Sequence, residues 1–299
     1  MMTTNGNPEL LIAGYPKAGK TTYLAALWYV INQPDELNTG LCLHKLEGND
    51  TYLNMIQNQW LGYEEVERTK LSSEKAIFFE IQDSISGKVL GLSFPDLSGE
   101  RFDQQFEERH CFSDFADLVA KATGCLVFIH SGQVIKSVAI AAAEPVIHIL
   151  EGQSNVPGLD KDAGMPEKPV PWNRTMPCIQ VKTIELLQFI AYLRGSAEPF
   201  RVAIVLSAWD LVESQKETPS VFLEKHLPML YQFLLANTDV FSYRIFGISA
   251  TGVDVGKDNR PNVDKYATEI HKPTDRIKVQ SEDENTLSHD LTLPMKWVL

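Results

Sequence analysis

The sequence predicts an α/β fold in which a mostly parallel sheet, with one antiparallel hairpin strand, carries helices on both faces. Three observations predict it. Short runs at 10–13, 124–130 and 200–207 are apolar nearly throughout, as strands buried on both faces must be. Helix-like stretches alternate with these runs, which implies right-handed crossovers between parallel strands. One pair of strand-like segments, 76–81 and 89–94, is separated only by Ser84-Ile85-Ser86-Gly87-Lys88, a hairpin signal.

In chain order, Leu10-Leu11-Ile12-Ala13 is the first strand and Thr22 to Ile31 the first helix. Residues 38–75 are polar and irregular, and read as a long connection with one helix. After the hairpin, a helix is expected over Asp114 to Ala122 and a strand over Gly124 to His130. The apolar segment 137–150 reads as a core-facing helix and a turn. It is interrupted by Glu144 and Pro145 and falls short of the roughly 20 residues of a membrane span. Helices are expected over Val181 to Leu193 and over Ser220 to Ala236, the second broken near Pro228, with strands at 200–207 and 243–249. The Pro-rich stretch 151–178 and the polar stretch 252–299 read as additions to one domain that spans residues 1–299.

The chain has 299 residues, 44% of them hydrophobic and 22% charged, the composition of a globular protein with a sizeable core. A formal charge of −12 disfavours direct nucleic-acid binding, which needs basic surface to release counterions. Cys42, Cys111, Cys125 and Cys178 lack the close spacing of a zinc site or disulfide framework, so a reducing, cytoplasmic setting is expected.

The octapeptide Gly14-Tyr15-Pro16-Lys17-Ala18-Gly19-Lys20-Thr21 lies between the first strand and a helix opening at Thr22. This is the strand, glycine-rich turn and helix of a phosphate-binding loop, and it specifies the fold class as a three-layer P-loop NTPase sandwich. Gly14 and Gly19 let successive N–H groups point into one concavity, and the helix adds its positive end. Lys20 would reach the β- and γ-phosphates, and Thr21 would ligate Mg2+, which prefers oxygen ligands.

Three further signals follow, each at the end of a strand, where open sheets bind ligands. Asp96 to Gly99 forms an Asp-x-x-Gly in which the acid can hold Mg2+ through water and the Gly99 N–H can sense a γ-phosphate. Asp210, after Ser207-Ala208-Trp209, can accept the N1–H and exocyclic amine of guanine, whereas adenine presents an acceptor at N1. Ser249-Ala250 after the last strand can offer an N–H to guanine O6. His130, on a buried strand, reads as a core residue rather than an acid or base.

These motifs, over about residues 9–252, resemble the translation-factor-related (TRAFAC) class of P-loop GTPases. The long insertions and the apolar C-terminal end are similar to the double-GTPase-like domains of bacterial conflict and defence systems. The resemblance implies phosphate and metal binding at Lys20 and Thr21, a second switch at Asp96 and Gly99, and base reading at Asp210 with Ala250. Thr69 is the choice over Thr51 for the first-switch threonine, and Arg68 beside it would supply transition-state charge. Two departures stand out. Ser207-Ala208 replaces the family's Asn-Lys, which removes a strand-tethering amide and a base-covering lysine stem. Glu100 stands where small GTPases place a water-orienting Gln, and a carboxylate facing a γ-phosphate is unfavourable.

The expected function is Mg2+-dependent GTP binding with slow hydrolysis, the nucleotide state switching a protein effector or a second protomer. The alternatives are a P-loop ATPase or small-molecule kinase, with ATP in place of GTP, and a nucleotide-binding interaction module without turnover.

Overall fold

A computed structural model describes residues 8–33, 40–47, 50–66, 77–94, 99–135, 177–195, 198–282 and 286–298. The expectations for residues 137–150, and for 151–178 up to residue 176, fall outside these, as do those for Arg68, Thr69 and Asp96.

Nine strands form one sheet in the order β2-β3-β4-β1-β5-β6-β7-β8-β9. The strands are β1 (Glu9–Gly14), β2 (Leu41–Glu47), β3 (Ile77–Asp83), β4 (Val89–Phe94), β5 (Ala122–His130), β6 (Phe200–Ser207), β7 (Phe241–Ser249), β8 (Lys278–Ser281) and β9 (Leu287–Ser288). The centre, β4-β1-β5-β6-β7, is parallel throughout. Alternate residues of β1 serve opposite faces. Leu10 and Ile12 join one apolar cluster and Leu11 and Ala13 the other, so both faces are covered.

The expectation of one antiparallel hairpin strand is corrected. Antiparallel pairing occurs at both edges, β2 with β3 and β3 with β4 on one side, β7 with β8 and β8 with β9 on the other. The missed strands are β2 at one edge and the short β8 and β9 at the other side of the sheet. In β2 a register shift between Leu43 and Lys45 also breaks the two-residue alternation that would reveal a strand. The β3–β4 hairpin forms as expected. Its turn is held by the Asp83 carboxylate, which accepts from the Ile85 and Ser86 N–H groups at 2.9 and 2.7 Å.

On the face of Leu10 and Ile12 lie α1 (Lys20–Asn32) and α2 (Thr51–Leu61), joined by Trp28 Nε1 donating to Asn54 Oδ1 at 2.9 Å. The expected single helix of the 38–75 connection is α2. On the other face lie α3 (Gly99–Glu108), α4 (Ser113–Lys121), α6 (Ile179–Arg194), α7 (Pro219–His226) and α8 (Pro228–Ala236). A short α5 (Ser131–Ile135) follows β5. The break between α7 and α8 falls at Pro228, which opens α8 at a position where its missing N–H costs no intrahelical bond.

The C-terminal stretch adds β8 and β9 to the sheet. After α9 (Arg260–Glu269), a 3-10 turn at Pro273–Arg276 leads into β8. Finally α10 (Leu293–Val298) buries Met295 and Val298, and the Val298 carbonyl accepts from Arg201 Nη1 at 3.2 Å.

Candidate functional site

The topology brings the sequence motifs to one edge. Strand β1 lies between β4 and β5, so the chain leaves β1 toward one side of the sheet and returns to the other, which opens a crevice beyond the carboxyl end of β1. Because the five central strands are parallel, β1, β4, β5, β6 and β7 all end on this side, at Gly14, Phe94, His130, Ser207 and Ser249.

The loop between β1 and α1 is built on positive backbone angles. Gly14 and Gly19 adopt φ of 147° and 85°, and Lys17 adopts 62°, a left-handed value that costs energy for a residue with a Cβ. A Cβ on Gly14 would lie 2.7 Å from the Phe128 carbonyl oxygen, and one on Gly19 would lie 2.8 Å from Ser207 Oγ. Only glycine fits either place. Gly14→Ala is therefore expected to destabilise the fold by about 1–3 kcal/mol from backbone strain alone, read as a lowered urea midpoint. An unchanged midpoint would show that the end of β1 tolerates a side chain.

Lys20 opens α1 and folds back over the loop, donating to the Gly14 carbonyl and to the Tyr15 carbonyl at 3.0 Å. Burial pushes its pKa down to about 7, partly opposed by the negative charge of Asp103 on α3. Tyr15, 5% exposed, donates its hydroxyl to the Lys182 carbonyl at 2.8 Å. Lys182 in turn pairs with Asp103 at 2.7 Å. The phosphate loop, α3 and α6 are thus bonded together beneath the crevice. Pro16, Thr21 and Thr22 are half-buried, Lys17 is exposed and Ala18 is buried.

Sequence reasoning missed Ser207. Its hydroxyl donates to the Ala18 carbonyl at 2.8 Å, so the end of β6 is tied to the phosphate loop. The expectation that replacing Asn by Ser removes this tether is corrected. The hydroxyl reaches because Gly19 has no Cβ to hold the loop away. The signal available in the sequence was a hydrogen-bonding side chain at this position.

Beyond Ser207 the chain turns sharply at Ala208, φ 52°, whose carbonyl accepts from Ser131 Oγ at 2.7 Å. Trp209 packs against Gly247 of β7 and donates Nε1 to Gln280 Oε1 at 2.7 Å. These contacts aim Asp210 toward the Ser249 loop, where Ser249 hydrogen-bonds its carboxyl group. Burial raises the Asp210 pKa above the ordinary carboxylate value, with the Ser249 bond opposing. Asp210 Oδ1 is buried without a hydrogen-bond partner among the described residues. A buried orphan acceptor costs about 1–3 kcal/mol, and a donor supplied by a ligand would remove that cost.

Ser249 Oγ accepts from the Gly252 N–H at 2.9 Å, and the Ala250 carbonyl accepts from Trp60 Nε1 at 2.8 Å. Gly99 and Glu100 open α3, but the Glu100 side chain lies outside the described structure. His130 is half-buried at the end of β5, and its Nδ1 accepts from the Gly132 N–H at 3.1 Å.

The family Double-GTPase 1 matches residues 11–298. The chain belongs to the Double-GTPase 1 family. No curated protein matches it. The matched range runs from β1 into α10, and so includes the phosphate loop, Asp210, the Ser249 loop and the C-terminal strands. Membership of a GTPase family supports GTP binding by this member. Among the described residues, no helix is long and apolar enough to cross a membrane.

Proposed function

We propose that this Double-GTPase 1 member binds GTP with Mg2+, hydrolyses it slowly and uses the nucleotide state to switch a protein partner or a second protomer. The observation that carries the reading is the orphaned Asp210 Oδ1, placed at the same sheet edge as the phosphate loop. Guanine supplies two donors, N1–H and the exocyclic amine, to a carboxylate so placed, and adenine supplies none at N1. In this reading residues 14–22, with Gly99, hold the phosphates, and Ser249 and Ala250 border the base. The fold is then a P-loop sandwich in one domain, with insertions at about 38–75 and 151–178.

The residues present fit the implied metal by donor chemistry. The Thr21 hydroxyl, the Asp96 carboxylate and Thr69 are hard oxygen donors of the kind Mg2+ takes. When bound, Mg2+ neutralises charge on the β- and γ-phosphate oxygens. Lys20 adds a second positive charge, and the loop amides orient the phosphates. The proposed setting is the cytoplasm of a bacterial defence system, on the resemblance stated above.

Slow turnover follows from Glu100, because a carboxylate beside the γ-phosphate neither orients water as Gln does nor tolerates the phosphate charge when turned inward. In single-turnover hydrolysis, the isolated wild type should be slow and Glu100→Gln no slower, while Arg68→Ala should reduce any rate stimulated by a partner. Fast wild-type hydrolysis abolished by Glu100→Gln would instead make Glu100 the water-positioning residue. Competition between GTP and ATP decides the base, and a preference for ATP would transfer the site to an ATPase or kinase.

A further inference from the structure

Arg276 ends the turn before β8 and is 1% exposed, among the largest fully buried side chains of the described structure. Its guanidinium carbon lies 3.6 Å from the centre of the Trp60 ring and 4.3 Å from that of Tyr63. Nη2 donates to the Trp60 carbonyl at 2.6 Å, while Nε has no partner among the described residues. Desolvation lowers its pKa to about 10, so the group stays charged at neutral pH. A buried cation with an unpaired N–H is costly unless the surrounding π-faces and the carbonyl bond compensate.

The cluster reaches the base side of the crevice. Trp60, held by Arg276 on one face and packed against Tyr29 at 5.4 Å, aims its indole N–H at the Ala250 carbonyl. Two residues on, Gly252 adopts φ 72° and packs so closely that a Cβ would lie 2.1 Å from the Tyr266 hydroxyl and 2.7 Å from the Arg276 carbonyl oxygen. The Ser249–Gly252 turn is therefore gripped from both ends. Ser249 Oγ holds the Gly252 N–H, and Trp60 Nε1 holds the peptide after Ala250. Trp60 lies on α2, far in sequence from this turn, and no described residue of the phosphate loop takes part in the cluster.

We propose that Trp60, oriented by Arg276, is a positioning residue for base recognition that holds the Ala250 turn where its N–H groups meet guanine O6. The inference rests on the GTP-binding reading and adds to it a specificity determinant outside the nucleotide-binding motifs. A hydrogen bond to a backbone carbonyl contributes about 0.5–1.5 kcal/mol. Its loss should weaken the O6 contact by about three- to tenfold.

The test is calorimetric titration of the full chain with GDP and with 6-thioguanosine 5′-diphosphate, which keeps N1–H and the amine but replaces O6 with a poorly accepting sulfur, with ADP as a control for the base. Wild type should prefer GDP. Trp60→Phe keeps a ring against Arg276 but removes the indole donor, so GDP affinity should fall about three- to tenfold while the thio analogue is little affected. The ratio of the two affinities then collapses. Arg276→Lys, which keeps the charge but not the planar stack, should shift the ratio the same way and serves if Trp60→Phe does not fold. An equal loss for both nucleotides, or unchanged GDP affinity in a folded variant, overturns the proposal, and so does a wild type that binds both equally. A wild type that prefers ADP to GDP overturns the GTP reading as well. Preference for GDP with unaltered variants overturns this inference alone.

Discussion

Lys20→Ala is expected to reduce GTP affinity by at least about thirtyfold, the effect of removing one partner from a desolvated, hydrogen-bonded charge pair worth roughly 2–5 kcal/mol. The fold should survive. Among the described residues, the Lys20 ammonium hydrogen-bonds to the carbonyls of its own loop, Gly14 and Tyr15, and lies outside both apolar clusters. Titration with Mg·GTP, alongside a thermal melt, separates the two effects, and undiminished affinity in a folded variant would refute the phosphate-loop assignment.

The same residue sets a pH dependence whose sign can be worked out. In the empty site burial brings the Lys20 pKa to about 7, so above that pH the amine is largely neutral. Phosphate oxyanions raise its pKa when the site is filled. Binding therefore takes up as much as one proton at about pH 8, and affinity should fall by up to about tenfold per pH unit above neutrality. Titrations in buffers of different ionisation enthalpy report the proton directly. Absence of uptake at about pH 8 would mean that Lys20 is already charged in the empty site.

Asp210→Asn should convert the base preference. The buried carboxylate now offers acceptors only, which suits the two donors of guanine. An amide accepts from N1–H but donates to the neighbouring position, which suits the O2 of xanthine and opposes the amine of guanine. GTP affinity should drop about ten- to a hundredfold as charge-assisted bonds are lost, while xanthosine triphosphate gains. Parallel titrations with the two nucleotides measure both changes. If both affinities stay as in the wild type, Asp210 does not face the base.

The loop between β1 and α1 was legible because every requirement of its motif is local. Two glycines at left-handed positions, a lysine and a threonine must stand at fixed spacing between a strand and a helix, and chain connectivity alone places them together. Central strands were legible for a similar reason, since burial on both faces demands continuous apolar sequence. The β3–β4 turn was visible in its own residues. Strands β8 and β9 escaped because they are only four and two residues long and their composition resembles that of loops.

The tether from Ser207 to Ala18, the pairing of Lys182 with Asp103 and the stack of Trp60 on Arg276 join residues distant in sequence. None has a period or spacing to betray it, because each depends on strand order and on which helix covers which face. The sequence by itself determined the local geometry of the loop between β1 and α1 and the central sheet. Only the tertiary structure decided which side chains hold that site in place, since their partners meet through packing rather than through the chain.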